Sequence, residues 1–433
     1  MEEQNKIHKL TIPQSRKLLP FGEAGWGLFS LSWKNIWRNK IRSLIIIFAI
    51  VFGVIGGVGI VAFMNGLFHQ RIQMAIGNEV SNIQIHNSHF QSNKELNDTI
   101  IDISKLTSVL DTCKKIKAYS LRIKTVTMIN SANNGEGIML NGIEPEKEKK
   151  VTGIYKYLKE GNYFTDKRKN GILIGEKLAG KLKIKMRSKV VVTMQSASGN
   201  ITNAAFKVIG IYKTNNSSFD GCNAYVRKSD LAAIIGFGSQ TAHEIAISIN
   251  NDNESSGLVA SLKAKYNEDK LSIESWDEIM PELGLFTGVM NYILYIFMSI
   301  IFLALSFGII NTMLMAVMER VREIGMLMAI GMNKTKIFLM IMLETILLML
   351  TGSIAGLIFS YVIVNLFGKY GINLSTVASG LSDIGFSSMV YPFLETEEYI
   401  KIVIMVLIAG IISSIVPARK ALKLNPSEAI RKL

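Results

Sequence analysis

The stretch Asn311–Lys336, with the sequence NTMLMAVMERVREIGMLMAIGMNKTK, decides how the rest of this chain is organised. A long apolar segment ends at Glu319, a short charged segment follows, and a second apolar segment begins directly after Lys336. Because about 20 apolar residues suffice for a helix to cross the core of a bilayer, this order predicts two membrane helices joined by a short charged helix. Charged side chains on such a connector favour contact with a soluble partner over contact with lipid.

Apolar residues concentrate in four segments of the 433-residue chain, and the region between the first two segments is polar. We therefore predict four transmembrane helices, at residues 44–66, 285–318, 337–367 and 400–416. The second of these belongs to a longer stretch without a charge, Leu283–Met318, which would measure about 54 Å as one helix. Its N-terminal part is expected to leave the membrane as a stalk.

Residues 67–284 have the pattern of an α/β domain outside the cytoplasm. Ser81–His86 alternates apolar and polar residues as a half-buried strand does, and further strand and helix patterns follow it. The lysine-rich segment Glu144–Lys150 is interpreted as a solvent-exposed face. The predicted fold class is an α-helical membrane domain of four transmembrane helices, with a large α/β extracytoplasmic domain inserted between the first helix and the second.

This topology assigns the remaining segments to the two sides of the membrane. Residues 1–43 form a cytoplasmic N-terminus that ends in an amphipathic helix at the membrane surface. Residues 319–336 form the charged connector and residues 417–433 form a cytoplasmic tail. Residues 368–399 form an extracytoplasmic connector between the third and fourth transmembrane helices.

Basic residues collect on one side of this topology. The formal net charge is +14, and most of the excess lies in residues 1–43, 319–336 and 417–433. Residues 368–401 instead hold two basic and four acidic residues. This is the positive-inside pattern, which places both termini in the cytoplasm. Topology accounts for the charge and no nucleic-acid-binding motif accompanies it, so we exclude nucleic acid as a partner.

The sequence contains no pattern that indicates catalysis or metal binding. Gly175–Lys181 nearly matches a phosphate-binding loop, but Leu182 stands where that loop requires Ser or Thr. No group of cysteines and histidines has the spacing of metal ligands. Cys113 and Cys222 fall in the extracytoplasmic domain, where a disulfide and two free thiols are both compatible with the sequence. We expect a non-catalytic chain with no cofactor of its own.

Small residues at four-residue spacing predict close helix contacts within the membrane domain. Gly53 and Gly57 form such a pair in the first predicted helix, and Gly352 and Gly356 form one in the third. Glu344 lies in the third helix, near its predicted cytoplasmic end. We assign Glu344 to helix packing, and proton or substrate handling is the alternative.

The charged connector has the residues of a short docking helix. Its charged side chains at helical spacing are Glu319, Arg320, Arg322 and Glu323. Gly325 and Gly331 are available to turn the backbone. A cytosolic ATPase can receive such a helix in a surface groove. Met328 and its neighbouring methionines are either adaptable contact residues or packing filler.

Several stretches resemble the motifs of one family of bacterial membrane proteins. Glu319–Gly331 resembles the signature between the second and third spans of ABC-transporter permeases of the MacB, lipoprotein-releasing (LolC/LolE) and FtsX superfamily. Trp33–Asn39 resembles the family's N-terminal elbow, and Pro417–Ala421 with Asn425–Arg431 resembles its C-terminal motif. The four-span layout, with the large domain after the first span, matches over nearly the whole chain.

The resemblance implies a coupling helix that docks onto an ATPase subunit. The residues it assigns to ATPase coupling are Glu319, Arg320, Arg322, Glu323, Gly325, Met328 and Gly331. Since residues 1–43 alone precede the first predicted span, a dimeric ATPase with its ATP and magnesium is expected on partner chains. The family is dimeric, so a second permease copy or a paralogue is expected in the same bacterial inner membrane. Such permeases convey ATP-driven motion to the outer domain by mechanotransmission.

The resemblance also suggests a cargo. Val80–His86 and Lys189–Tyr225 are similar to the lipoprotein-releasing branch, in which a hairpin of the outer domain engages a soluble carrier. The corresponding turn here, Ser196–Asn203, is short. The expected function is therefore lipoprotein release from the inner membrane, with a periplasmic carrier or adaptor as a further partner. The alternatives are efflux of peptides or amphiphilic drugs, as in MacB, and FtsX-like control of a cell-wall hydrolase.

Overall fold

The computed structural model describes residues 21–165, 169–266 and 270–423 of this chain. Residues 1–20 and the motif Asn425–Arg431 lie outside the described residues. The described chain divides into two compact units. The membrane unit holds residues 21–60, 295–363 and 395–423, and the α/β unit holds the described residues of 61–294 and 364–394.

The helices in the middle of the chain are short, and the long helices lie toward its two ends. In chain order they are α1 (Phe21–Arg38), α2 (Lys40–Met74), α3 (Phe90–Asn93), α4 (Ile103–Thr112), α5 (Pro145–Val151), α6 (Glu176–Leu182), α7 (Ser217–Cys222), α8 (Lys228–Ile235), α9 (Ser255–Lys263), α10 (Trp276–Ile279), α11 (Pro281–Glu319), α12 (Val321–Ala329), α13 (Lys334–Tyr370), α14 (Ala378–Asp383) and α15 (Thr396–Leu422). A π-helical turn, Ala75–Val80, follows α2 directly.

The strands all lie between α2 and α15. In chain order they are β1 (Ile83–Asn87), β2 (Ile116–Asn130), β3 (Gly135–Ile143), β4 (Leu158–Gly161), β5 (Gly171–Gly175), β6 (Lys189–Gln195), β7 (Ile201–Tyr212), β8 (Asn223–Arg227), β9 (Glu244–Ile249), β10 (Leu271–Ser275), β11 (Ile372–Asn373) and β12 (Met389–Val390).

Four helical segments are long and apolar enough to cross a membrane. They are α2 with its π-helical turn, α11, α13 and α15. A mixed α/β region lies between the first of them and the second, which confirms the predicted fold class. Many of their large apolar side chains are exposed, as a lipid-facing surface requires.

The glycine pairs of α2 and α13 lie against neighbouring helices of the membrane unit. A Cβ atom at Gly57 would stand 2.9 Å from Met298 Sδ of α11, and one at Gly53 would collide with Leu305 of the same helix. Cβ atoms at Gly352 and Gly356 of α13 would approach side-chain atoms of α2 to 2.8 Å and 2.9 Å. Any larger residue at these positions would push the helices apart.

The strands of the α/β unit form a sheet that partly closes on itself. The main order is β10-β1-β9-β2-β3-β8-β5-β7-β4, and β6 pairs with both β2 and β7. The strands β2, β3, β8, β5, β7 and β6 therefore close into a ring. The pairs β3–β8 and β5–β7 are parallel, and the other pairs are antiparallel.

The long strand β2 connects two hydrophobic cores. Its first half pairs with β9 and buries Leu121 among side chains of β1, β9, α4 and α9. Its second half pairs with β3 and β6, and buries Ile123 and Ile129 with α6 and α8. One strand of 15 residues thus contributes to both hydrophobic cores of the unit.

A cluster of buried charges lies where β2 passes between these cores. The Arg122 guanidinium is 2.6 Å from a Glu148 oxygen and 2.5 Å from a Glu244 oxygen, and Lys124 Nζ is 2.8 Å from the other Glu244 oxygen. Burial opposes ionisation of Glu244, but Lys124 and Arg122 hold its pKa well below the usual range. Glu148 of α5 is 1% exposed, so the prediction that Glu144–Lys150 is a solvent-exposed face is wrong at this residue.

The segment between α13 and α15 is folded onto the α/β unit. It contains a two-stranded sheet and α14, and Asp383 forms an ion pair with Lys177 at 2.7 Å. The two cysteines, Cys113 and Cys222, are both free. Of the two alternatives that the sequence left open, the structure therefore has free thiols.

Candidate functional site

The short helix α12 is separated from α11 by a break at a single residue. Arg320 has φ −101° and ψ 16°, outside the helical region, so the chain changes direction after Glu319. Ile324 N–H donates to Arg320 O at 3.0 Å, so the hydrogen-bond ladder of α12 starts at the residue of the break. The connector predicted from the sequence is thus a helix of nine residues.

The end of α12 is determined by Gly331. Its φ of +97° lies in the left-handed region that glycine adopts without steric cost. Met332 N–H donates to Leu327 O at 2.9 Å, and Gly331 N–H donates to Met328 O at 3.1 Å. These two bonds are those of a Schellman motif, which stops a helix. The prediction that both glycines turn the backbone applies to Gly331 alone, because Gly325 lies buried inside α12.

One face of α12 packs into the membrane unit. Ile324 is 3% exposed and lies in a buried cluster with residues of α11, α13 and α15, namely Val317, Ile337, Ile341, Ala418 and Ala421. Met328 and Met332 pack against the same cluster. Met328, assigned above to ATPase coupling, is therefore on the inner side of the helix. The cluster joins α12 mechanically to the ends of three long helices.

Ion pairs attach α12 and its flanks to the helices around them. Arg38, the last residue of α1, places Nη2 2.7 Å from both carboxylate oxygens of Glu323. Arg42, near the start of α2, forms an ion pair with Glu319. Both pairs are partly exposed, so each contributes about 0–1 kcal/mol.

A third ion pair is more deeply buried. Arg320 Nη1 lies 2.8 Å from Glu344 Oε1, and its Nη2 donates to the Asn35 carbonyl oxygen at 3.1 Å. The side chains of Arg320 and Glu344 are 14% and 9% exposed. One arginine thus joins α13 to α1 at the residue where α11 ends. In this arrangement the carboxylate of Glu344 has a structural partner.

The opposite face of α12 is open. Arg322, Met326 and Ile330 follow one another at four-residue spacing and are all exposed, Ile330 to 84%. We call these three residues the exposed face of α12. Large apolar side chains next to a charge, on a connector too polar for the membrane interior, are typical of a protein-docking surface. Sequence reasoning missed Ile330, although its place four residues after Met326 is a detectable signal.

An apolar cavity lies beside α12 within the membrane unit. Its volume is about 360 Å³, and its lining includes Leu31, Met313, Leu327 and Met340. The Arg320–Glu344 pair forms part of its wall. Met326 and Ile330 of the exposed face also line this cavity. Because the space beside α12 is not fully packed, the ion pairs and the Ile324 cluster carry a larger share of its attachment. Among the residues that the structure describes, no group of three or more Cys, His, Asp and Glu could hold a metal ion.

Two models of known protein families match this chain. A family model described as the FtsX-like permease C-terminal domain matches residues 295–426, which contain α12. A second model, the MacB-like periplasmic core domain, matches residues 43–265, which is more than half of the chain. The chain belongs to the MacB/FtsX superfamily of ABC-transporter permeases. The resemblance carried by Glu319–Gly331 and the four-span layout is confirmed.

Relatives with the same description share about a quarter of their residues with this permease. MJ1507, an ABC transporter permease of Methanocaldococcus jannaschii, is 26% identical over 63% of this chain and 65% of its own length. YknZ, an ABC transporter permease of Bacillus subtilis, is 26% identical over 75% of this chain and 74% of its own. The macrolide export ATP-binding/permease protein MacB of Shewanella sp. is 24% identical over 54% of this chain and 34% of its own. This permease therefore spans about a third of MacB and two thirds of MJ1507.

The structure brings together most of the residues that the sequence assigned to ATPase coupling. Glu319 and Glu323 form ion pairs with Arg42 and Arg38 of the N-terminal helices, and Arg320 forms a separate pair with Glu344. Arg322 lies on the exposed face of α12, and Gly331 ends the helix. Sequence reasoning missed the arginine partners, because residues 277–285 positions apart in the chain give no local signal of pairing.

Proposed function

We propose that this chain is a permease subunit on which a nucleotide-hydrolysing subunit docks through the exposed face of α12. The observation that carries the proposal is the two-sided character of this helix. Arg322, Met326 and Ile330 are exposed, while Ile324 packs against α11, α13 and α15. One ion pair joins α12 to α1, and two more, at the last residue of α11 and at the break, join this region to α2 and α13. A push on the exposed face would therefore be transmitted to the long helices.

The proposed activity is mechanotransmission. Helices α2, α11 and α13 each contribute residues to both the membrane unit and the α/β unit. Helices resist compression along their axes through a continuous ladder of hydrogen bonds, so they are suitable rods for transmitting movement. ATP and magnesium would be bound and hydrolysed by a dimeric partner ATPase, and this chain would pair with a second permease copy or paralogue. The proposed location is a bacterial inner membrane with both termini in the cytoplasm.

The proposed cargo is an amphiphilic molecule such as a macrolide or a peptide. Support comes from the relatives, among which MacB is named for macrolide export. Support also comes from the β6–β7 hairpin, whose turn is bonded back onto its own unit: Ala197 N–H donates to Ile235 O of α8 at 2.8 Å. A turn held in this way is poorly suited to reach a soluble lipoprotein carrier.

Lipoprotein release is the second candidate. The observation that favours it is the similarity of Lys189–Tyr225 to the lipoprotein-releasing branch, a segment that contains β6, β7 and β8. Deletion of the gene separates the candidates. Increased susceptibility to amphiphilic macrolides with unchanged lipoprotein localisation would support efflux. Mislocalised lipoproteins with unchanged susceptibility would support release, and a cell-division or cell-wall defect alone would favour control of a hydrolase.

The docking proposal is tested by copurification from native cells. The double variant Arg322→Glu with Ile330→Asp changes two exposed side chains, so it should fold normally and lose at least tenfold of the copurified ATPase activity. The matched control is Lys369→Glu with Ile384→Asp, an exposed pair at the far end of α13 and beyond. An ATPase that remains bound to the first variant, or that is lost equally from both, would refute docking on α12.

A further inference from the structure

The α/β unit contains a polar cavity that the proposed function does not use. Its volume is about 560 Å³, and its lining includes four lysines: Lys117, Lys149, Lys150 and Lys156. The one carboxylate in its lining belongs to Asp252. Pockets of this volume are typical of small-molecule sites, which usually range from about 300 to 1,000 Å³. We call it the lysine cavity.

The charges of the lysine cavity are not balanced within the protein. Asp252 already accepts hydrogen bonds from Gln73 Nε2 at 2.8 Å and from Asn82 Nδ2 at 2.5 Å. Lys149 is paired with Glu146, which is not part of the lining. No carboxylate among the described residues forms an ion pair with the other three lysines. The cavity therefore concentrates positive charge in a concave surface, which raises the local concentration of anions.

A buried amide faces the same cavity without a partner. Asn78 is 7% exposed and lines the cavity, yet its carboxamide makes no hydrogen bond to any residue that the structure describes. The carboxamide atoms are not enclosed and are reached by solvent from the cavity, so a ligand bound there would replace water as their hydrogen-bond partner. Gly153 lies beside it: a Cβ there would stand 2.9 Å from Asn78 Oδ1, and its N–H donates to Gly77 O at 2.7 Å.

The backbone that carries Asn78 is itself unusual. The π-helical turn Ala75–Val80 forms this wall of the cavity, and π-helical turns are frequent at functional sites. The turn ends at Ser81, whose φ of 78° and ψ of 175° lie in a region almost restricted to glycine. The Ser81 hydroxyl donates to Ile247 O at 2.5 Å and holds this conformation. Asn78 belongs to this turn and lines the cavity.

We infer that the lysine cavity binds a phosphate-bearing ligand. The ammonium groups of Lys117, Lys150 and Lys156 would neutralise the phosphate, and the Asn78 carboxamide would donate a hydrogen bond to one of its oxygens. The rest of the cavity, whose lining includes the side-chain amides of Gln70, Gln73 and Asn250, would accept the organic part of the molecule. The phosphate belongs either to a soluble ester or to a lipid headgroup. This inference does not rest on the docking of an ATPase at α12.

Binding is measured on the full chain in nanodiscs, with two probes. In phosphatidylcholine nanodiscs, glycerol 3-phosphate is titrated and its ³¹P linewidth is followed. In nanodiscs that contain phosphatidylglycerol without added ester, hydrogen exchange of the peptide over residues 75–82 is followed. Saturable broadening supports a soluble ester, and protection only with phosphatidylglycerol supports a lipid headgroup. No broadening and no protection would overturn the inference.

Charge-reversed variants show whether the lysine cavity is the site. Lys150→Glu with Lys156→Glu should weaken binding of the effective probe at least tenfold. The control, Lys189→Glu with Lys207→Glu, makes the same charge change at exposed lysines of β6 and β7 that are absent from the cavity lining. Equal weakening by both pairs would show non-specific attraction and would refute the site, as would binding unchanged by the first pair.

Asn78→Leu removes the hydrogen-bonding groups and keeps the approximate shape of the side chain. It should weaken binding about tenfold while leaving the thermal unfolding temperature nearly unchanged, because the amide makes no hydrogen bond to the described residues that the change would break. If this variant does not fold, Asn78→Asp replaces it, and its carboxylate should repel the phosphate. Unchanged binding in a folded variant would exclude Asn78 from the site and overturn this part of the inference.

Discussion

Two regions of this permease contain arginine–glutamate networks, and they differ in burial. In the α/β unit, Arg122 lies between Glu148 and Glu244, and all three side chains are at most 5% exposed. Around α12, Arg38 and Glu323 are 51% and 46% exposed. The same pair of residue types is thus fully buried in one region and half exposed in the other. A buried cluster is costly to disturb, whereas a partly exposed pair can break and reform at little cost.

The difference agrees with what each region has to do under the proposed function. A unit that is moved as a body benefits from interior contacts that do not yield. A helix that receives force from a partner benefits from contacts that can change with each cycle. The Arg320–Glu344 pair is intermediate in burial, and it occurs where α11 breaks before α12. The following predictions test this contrast, from the largest expected effect to the smallest.

Replacement of Arg122 by Ala should have the largest effect. It leaves the Glu148 and Glu244 carboxylates buried without their main cation, so the free energy of unfolding of the α/β unit should fall by about 3–5 kcal/mol. Chemical denaturation of the detergent-solubilised chain, followed by hydrogen exchange in β2 and β9, measures this loss. As a control, Lys105→Ala breaks the exposed pair with Asp102 and should cost less than about 1 kcal/mol.

The buried cluster should also make the α/β unit sensitive to acid. His86 lies beside Glu244, and burial lowers its pKa from 6.5 to about 4. Between these two values the unfolded chain binds a proton that the folded chain does not. The free energy of unfolding should therefore fall as the pH falls from about 6.5 to 4, by about 3 kcal/mol. His86→Phe should reduce this slope, and a part should remain because burial also lowers the pKa of His243. An unchanged slope in that variant would assign it to other groups.

The intermediate pair around α12 can be tested by a double-mutant cycle. Arg320→Gln leaves Glu344 buried without its cation, and Glu344→Gln in the same chain removes that charge. The coupling energy between the two sites should be about 2 kcal/mol in thermal or denaturant unfolding of the membrane unit. The exposed pair Arg38–Glu323, treated in the same way, should give less than about 1 kcal/mol. Equal coupling energies would show that burial does not distinguish these two ion pairs.

The smallest effect is expected at the end of α12. Gly331→Ala places a Cβ atom at φ +97°, where nothing crowds the side chain but the backbone itself is strained. The cost should be about 1 kcal/mol. The variant should lose a clear part of its stimulation of the partner ATPase although it stays folded, because the change alters the end of α12. Gly236→Ala, at the left-handed end of α8, is the control and should leave stimulation unchanged.

Much of the organisation was predictable because it depends on local signals. Apolar segment length and the position of charges indicate the four membrane helices, and alternation indicates the strand β1. The connector of residues 319–336 was predicted from charge and glycine spacing alone. The closed ring of strands was not predicted, because it depends on β6, the hairpin partner of β7, also pairing with the distant strand β2.

The burial of charged residues is the feature that the sequence predicts least well. In the sequence, Glu148 is one of several charges in a lysine-rich segment, which favours solvent exposure. In the structure it is 1% exposed, because Arg122 and the packing of α5 on β2 provide a partner inside the unit. Nothing local distinguishes it from Glu146 two residues earlier, which is exposed.

The sequence by itself determined that Asn311–Lys336 joins two membrane helices through a charged connector, because hydropathy and charge act over a few neighbouring residues. The tertiary structure decided which side of that connector is available. It turned Ile324 and Met328 inward and Met326 and Ile330 outward, and it paired Glu319 and Glu323 with arginines near the start of the chain. Such contacts arise only when distant segments meet, so their partners cannot be inferred from spacing along the chain.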